Sequence, residues 1–173
     1  MGTRHLTVVK LDGEWKVAQY GQWDGYPEGQ GITVLEFARK LQDHTTAEKF
    51  IQNLRKCRWL YRHEVVAINK KIENGEIKDL LREYPQFHRD TGAEILDYVL
   101  SQNKEEIVLE SQFDFAFDHL FCEYIWGIDL DKSEFGLYVG ADKVKDIVPV
   151  KTWKIEEAPT DEEFIKAFEE NES

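Results

Sequence analysis

His5-Leu6-Thr7-Val8-Val9-Lys10-Leu11-Asp12-Gly13-Glu14-Trp15-Lys16-Val17-Ala18-Gln19-Tyr20-Gly21 is the stretch that decides how this chain is read. β-formers alternate on both sides of Asp12-Gly13, the dipeptide that most favours a type I′ turn, so Thr3 to Trp23 is predicted to be a two-stranded hairpin. A two-residue loop sets the register. It would place Leu11 opposite Glu14, Val8 opposite Val17, Leu6 opposite Gln19 and Arg4 opposite Gly21. One face then carries Leu6, Val8, Trp15 and Val17 as the expected core face. Continued outward, it brings the Arg4 guanidinium beside Trp23.

The second strand runs into Gln22-Trp23-Asp24-Gly25-Tyr26-Pro27-Glu28-Gly29-Gln30-Gly31. Three glycines around a proline demand tight turns that other residues follow at a cost. Thr33-Val34-Leu35-Glu36 then has capping-box spacing, which predicts a helix entered directly from the loop, with free backbone N–H groups offering an anion site. Neither the Walker ending nor the G-x-G-x-x-G spacing is present.

Further along, Thr45-Thr46-Ala47-Glu48 is a second capping box. Phe50, Leu54, Cys57, Tyr61, Val65, Ile68 and Ile72 follow steps of three or four, predicting one long helix, bent near Trp59, that stops at Asn74-Gly75. A short helix before Pro85 and another from Thr91 follow, the latter turning Ile95, Tyr98 and Val99 inward. Beyond Asn103 the period changes to two. Phe113, Phe115 and Phe117 alternate with polar or small residues, and Cys122 to Leu130 reads as a long strand. Asp131-Lys132-Ser133 turns into a strand over Glu134–Val139. Val148–Ile155 is an edge strand carrying Pro149, and Thr160 caps a last helix built on Phe164 and Phe168. The expectation is one α+β domain over residues 1–173, with an acidic helix and tail at about 156–173. Its antiparallel sheet would come from an N-terminal and a C-terminal hairpin, with the central helices on one face.

Composition narrows the function classes. Hydrophobic residues make up 42% and aromatic residues 13%, enough for a core and against wholesale disorder. The net charge of −12 argues against general binding to nucleic-acid backbones. The charge is segregated, since Ala47 to Lys71 holds seven bases against two acids, whereas Ile155 to Ser173 holds eight acids against Lys166 alone. The acidic end would be solvated or lie against the basic segment, or one of them would dock a charged partner. Cys57 and Cys122 lack C-x-x-C spacing and read as buried free thiols, with a disulfide or redox pair as the lesser reading. The absence of a long apolar run or a leader-like N-terminus points to the cytoplasm, away from membranes.

The candidate site is Arg4, Gln22, Trp23, Asp24, Tyr26 and Gly29. A fixed cation, a carboxylate and two flat rings at a glycine-rich helix entry would suit a planar, anionic, nucleotide-like or phosphorylated ligand. The rival is a structural turn pinned by Trp23 and Tyr26 and closed by an Arg4–Asp24 pair. If the site were catalytic, Asp24 would be the acid or base and Arg4 the transition-state cation. Two weaker patterns compete. His5-Leu6-Thr7 and His44-Thr45-Thr46 repeat the His-x-Thr of two-histidine phosphoesterases, but the second copy precedes a helix cap. Asp129-Leu130-Asp131-Lys132-Ser133 has the alternating oxygens of a calcium loop without its glycine and glutamate, and reads as a polar turn. No metal or cofactor is expected.

Met1-Gly2-Thr3-Arg4, the hairpin and Gln22-Trp23-Asp24-Gly25-Tyr26-Pro27 together resemble a group of small proteins encoded in tailed-phage genomes, with related-looking proteins in some fungi. The resemblance covers roughly the first 45 residues. It implies a viral accessory protein acting in the host cytoplasm, with a role against host defence. The partner is expected to be a small anionic ligand or, as the alternative, a host defence or nucleic-acid-processing protein inhibited by an acidic binder.

Overall fold

The computed structural model describes residues 2–169. Five strands form the main sheet: β1 (His5–Leu11), β2 (Glu14–Gly21), β5 (Tyr124–Asp129), β6 (Glu134–Ala141) and β7 (Asp146–Lys154), in the order β2-β1-β5-β6-β7. The α+β class is as expected, and the sheet is supplied by the amino-terminal hairpin and a carboxy-terminal three-stranded antiparallel meander, where a second hairpin was expected. They meet side by side, since β1 and β5 run parallel with His5 opposite Tyr124, so the sheet is mixed. β3 (Cys57–Trp59) and β4 (Ile107–Leu109) make a separate parallel pair.

The Asp12-Gly13 turn forms, with both residues at positive φ, and Leu11 does face Glu14. One bulge changes everything beyond it. The register shifts between Val9 and Lys10: Lys10 pairs with Trp15, but Val9 pairs with Val17, leaving Lys16 as the extra residue. Val8 therefore faces Ala18, Thr7 faces Gln19, and His5, not Arg4, faces Gly21. A one-residue slip exchanges the faces of a strand.

Both faces of β1 are buried. Val9, Leu11 and Val17 pack under α1 (Ile32–Lys40), α2 (His44–Arg55), α5 (Ile95–Ser101) and α6 (Asp161–Glu169). Leu6, Val8 and Ala18 pack with Ile125, Tyr138 and Ile147 beneath a 3₁₀ turn at Phe113–Phe117, where alternation had predicted extended chain.

The predicted long helix is broken. α2 begins at His44, with the Asp43 carboxylate accepting from the Thr46 N–H at 2.9 Å, so the cap lies two residues before the expected Thr45 box. It ends at Arg55, and β3 intervenes before α3 (Arg62–Glu73). The buried Asn53 amide donates to the carbonyls of Val99, Leu100 and Gln102, tying the end of α2 to the segment after α5. Cys57–Trp59 is then drawn out to pair with β4. A four-residue α4 (Leu80–Glu83) precedes Pro85. The terminal helix forms as expected, with Thr160 Oγ1 accepting from the Glu163 N–H. Phe164 and Phe168 stack around Trp126 and Trp153, with ring centroids 5.1–5.8 Å apart. The acidic end thus packs through its apolar face, and Asp161 pairs with Arg39 of α1, not with the basic 47–71 segment. Glu170 and Glu172 of the expected tail, and Met1 of the amino-terminal motif, lie outside the described residues. No helix among the described residues is long and apolar enough to cross a membrane.

Candidate functional site

The Gln22–Gly31 loop comes off the end of β2 and is held from several sides. The Gln22 N–H donates to the Arg89 carbonyl at 2.9 Å, and the Gly25 N–H to the Thr3 carbonyl at 3.0 Å. The Trp126 indole donates to the Gly25 carbonyl at 2.6 Å, anchoring the loop to the core. Asp24 adopts φ +58°, and its carbonyl accepts from the Gln30 N–H at 2.7 Å. Gly29 lies against the Asp24 backbone with no room for a Cβ. Pro27–Gly31 winds as a single π-helical turn leading straight into α1. Hence Thr33 is no cap, and its hydroxyl only reaches back to the Gly29 carbonyl at 3.4 Å. The Gly29 and Gly31 N–H groups donate to the Tyr26 carbonyl. The donors expected to receive an anion are therefore already engaged within the loop.

Asp24, Tyr26 and Gly29 come together, whereas the Trp23 ring lies against Gly2 and Gln22 is held through its backbone N–H. The Tyr26 hydroxyl donates to Asp24 at 3.0 Å, a bond that holds the phenol proton on to higher pH. Trp23 and Tyr26 remain 43% and 39% exposed. Arg4 is a correction. The bulge puts it on the other face of β1, where its guanidinium lies 5.0 Å over the Phe121 ring and makes no ion pair with Asp24. The Arg4–Asp24 closure is therefore also absent.

His5 takes the place expected of Arg4. It is 1% exposed, wedged against Gly21, Gly25 and Gly92, and its Nε2–H donates to the Trp23 carbonyl at 3.0 Å. Burial lowers its pKa to about 4, against smaller opposing effects of that hydrogen bond and of Asp24. The imidazole is thus neutral near pH 7, with a bare Nδ1 that has no partner. Thr7 Oγ1 and Gln86 Oε1 are likewise buried without partners. His44, the other half of the His-x-Thr pattern, is exposed at the start of α2. The Asp129 and Asp131 carboxylates serve backbone. Asp129 accepts from the N–H groups of Asp131 and Lys132, and Asp131 from those of Asp12 and Gly13.

The more open chemistry lies at the far end of the hairpin. Gly13–Lys16 and Cys57–Trp59 frame a cleft of about 520 Å³. Trp15 and Trp59 also wall a cleft of about 340 Å³ with Ser111, Phe113 and Asp114, and a third of about 310 Å³ adds Phe117, Asp142 and Lys145. Shared lining residues join the three into one groove.

Most polar groups here are satisfied. Arg58 holds Glu64 at 2.8 and 3.0 Å and also pairs with Glu106, and the arrangement pulls the Glu64 carboxyl down to about 2. Lys16 pairs with Glu14, the Trp15 indole donates to Asp146, and His119 meets Asp142 at 3.0 Å. Cys57 and Cys122 are both free, and burial pushes each thiol up to about 12, which favours the protonated form. Asp114 differs: it is exposed and makes no hydrogen bond or ion pair.

The strand expected at Phe113–Phe117 and the long helix expected through Trp59 had hidden this groove. The run Cys57-Arg58-Trp59-Leu60-Tyr61, crowded with bulky residues off the helical stripe, was the available sign of a break.

Fold and groove together define an α+β protein with an aromatic surface groove. No protein-family model, curated protein or solved structure matches the chain.

Proposed function

We propose that this is a phage-type accessory protein that acts by binding, and that its target is a positively charged host protein. The observation that carries the reading is Asp114. In the 340 Å³ cleft the one charged group is an unpaired carboxylate set among three aromatic side chains. A net charge of −12 supports it further, because such a field attracts basic surfaces and speeds their encounter. Two cations that line the adjoining 520 Å³ cleft are engaged, Arg58 with two glutamates and Lys16 with Glu14. The resemblance of the first 45 residues supports a role inside an infected cell.

Capture from host lysate at low and at high salt tests the reading. Basic proteins retained at low salt and released at high salt are expected, and retention indifferent to salt would count against it.

A second reading, a small nucleotide-like or phosphorylated ligand, is favoured by the exposed Trp23 and Tyr26 rings beside Asp24. Calorimetry with nucleotides, cyclic dinucleotides and ADP-ribose tests it. Heat that disappears in Trp23→Ala supports this reading, and a silent panel removes it.

A further inference from the structure

Trp15, Trp59 and Phe113 approach the 340 Å³ cleft from three separate parts of the chain: the start of β2, the end of β3 and the 3₁₀ turn that follows β4. Trp15 meets Tyr138 edge-on at 6.0 Å and Phe113 meets Phe117 at 5.6 Å, neither Tyr138 nor Phe117 lining this cleft, and Trp59 is 36% exposed. The cleft is therefore lined by ring surface still open to a guest. A ring face carries negative potential and attracts cations.

The fold uses that attraction for its own side chains. Arg58 sits 4.9 Å from the Tyr61 centroid and Lys10 5.4 Å from that of Trp15. Lys10 lines a different cavity, with Tyr138 and Asp129, and does not fill this one. What remains here is aromatic surface, the Ser111 side chain and the unpaired Asp114.

We infer that this cleft is a cage for the guanidinium or ammonium group of an arginine or lysine in a basic segment of a partner protein, with Asp114 as its counter-ion. The inference rests on the proposed binding of basic targets and adds the seat. A carboxylate among aromatic rings disfavours an anionic guest and leaves an apolar one facing an unneutralised charge, whereas a cation meets both the rings and the carboxylate. The neighbouring clefts of about 520 and 310 Å³ continue the groove on either side, so the chain bearing the cation has somewhere to run.

Fluorescence and calorimetric titration of the full chain with nona-arginine, and with nona-citrulline as its uncharged counterpart, tests the cage. Nona-arginine is expected to bind in low salt and nona-citrulline not to. Trp59→Ala should weaken nona-arginine about tenfold and Asp114→Asn about fivefold, in the range of one cation–π contact and one charge-assisted bond. Glu163→Gln on α6 removes the same charge as Asp114→Asn but at a distance, and should change affinity less than about twofold. Asp114→Asn keeps the test sharp if Trp59→Ala disturbs β3, because the Asp114 side chain supports no other group. Binding of nona-arginine that Trp59→Ala and Asp114→Asn reduce no more than Glu163→Gln would overturn the cage and leave attraction to basic targets standing. Equal binding of nona-citrulline would likewise overturn it. If nona-arginine fails to bind even in low salt, the broader reading falls with it.

Discussion

The Gln22–Gly31 loop follows the open end of the β1–β2 hairpin, the Trp15–Trp59–Phe113 groove lies alongside β2, and the two divide chemistry in opposite ways. The loop is rich in functional groups, yet its backbone donors and the Asp24 carboxylate are bonded within the fold, and Trp126 and His5 fasten it to the core. The groove is built of ordinary-looking residues, yet it leaves ring faces and one carboxylate without partners. Conspicuous composition here marks a structural joint. The groups left without hydrogen bonds or ion pairs are found in the plainer stretch.

That contrast can be broken or sharpened by substitution. The largest effect is expected at the anchor of the loop. Trp126→Ala removes a fully buried indole, its stacking with Phe164 and Phe168, and the bond to the Gly25 carbonyl. A loss of about 4 kcal/mol in urea denaturation is expected. A loss below about 1 kcal/mol would mean that the loop does not depend on the core.

Next comes pH. His5 has its pKa lowered from 6.5 to about 4, so the unfolded chain takes up a proton that the folded chain refuses. Stability is therefore unaffected by this group above about pH 6.5 and falls as pH drops from there towards 4, by about 3 kcal/mol in all. Urea midpoints across that window in the natural chain and in His5→Gln measure it, and parallel slopes for the two would remove His5 as the cause. Gly29→Ala should follow, at about 2 kcal/mol, because its Cβ meets the Asp24 backbone, which cannot yield as a side-chain tip could. A melt unchanged within error would mean the loop relaxes freely.

The smallest effects are expected in the groove. Asp114→Asn should leave stability within about 0.5 kcal/mol, since the carboxylate bonds nothing in the fold. A larger loss by thermal melting would show it to be structural and would close the contrast between the two regions.

Much of the fold was legible because its signals are local. Asp12-Gly13 needs only two residues to specify a turn, and Thr160 with Phe164 and Phe168 carries its own cap and stripe. What escaped depends on distant partners. The bulge at Lys16 leaves no mark in the alternation of β1, but it exchanged Arg4 for His5 at the loop. The break at Cys57 exists because β4, some fifty residues on, offers an edge to pair with, and the aromatic period in Phe113–Phe117 fits a 3₁₀ turn over the sheet as well as a strand within it. The loop residues were found because their composition is unusual. The groove was missed because its walls come from four stretches of chain far apart in sequence, 13–16, 57–59, 111–117 and 142–145.

The parallel junction of β1 with β5 also bears on how the protein is made. His5 leaves the ribosome early, but the strand carrying its neighbour Tyr124 is translated much later. Until then the hairpin has apolar side chains on both faces and an open edge along β1, a combination that invites pairing with other nascent chains. Folding must wait for the second hairpin, and the contacts that finally close the sheet span most of the polypeptide, which makes them slow to form. The strand order thus predicts that fragments ending before residue 124 collect in the insoluble fraction.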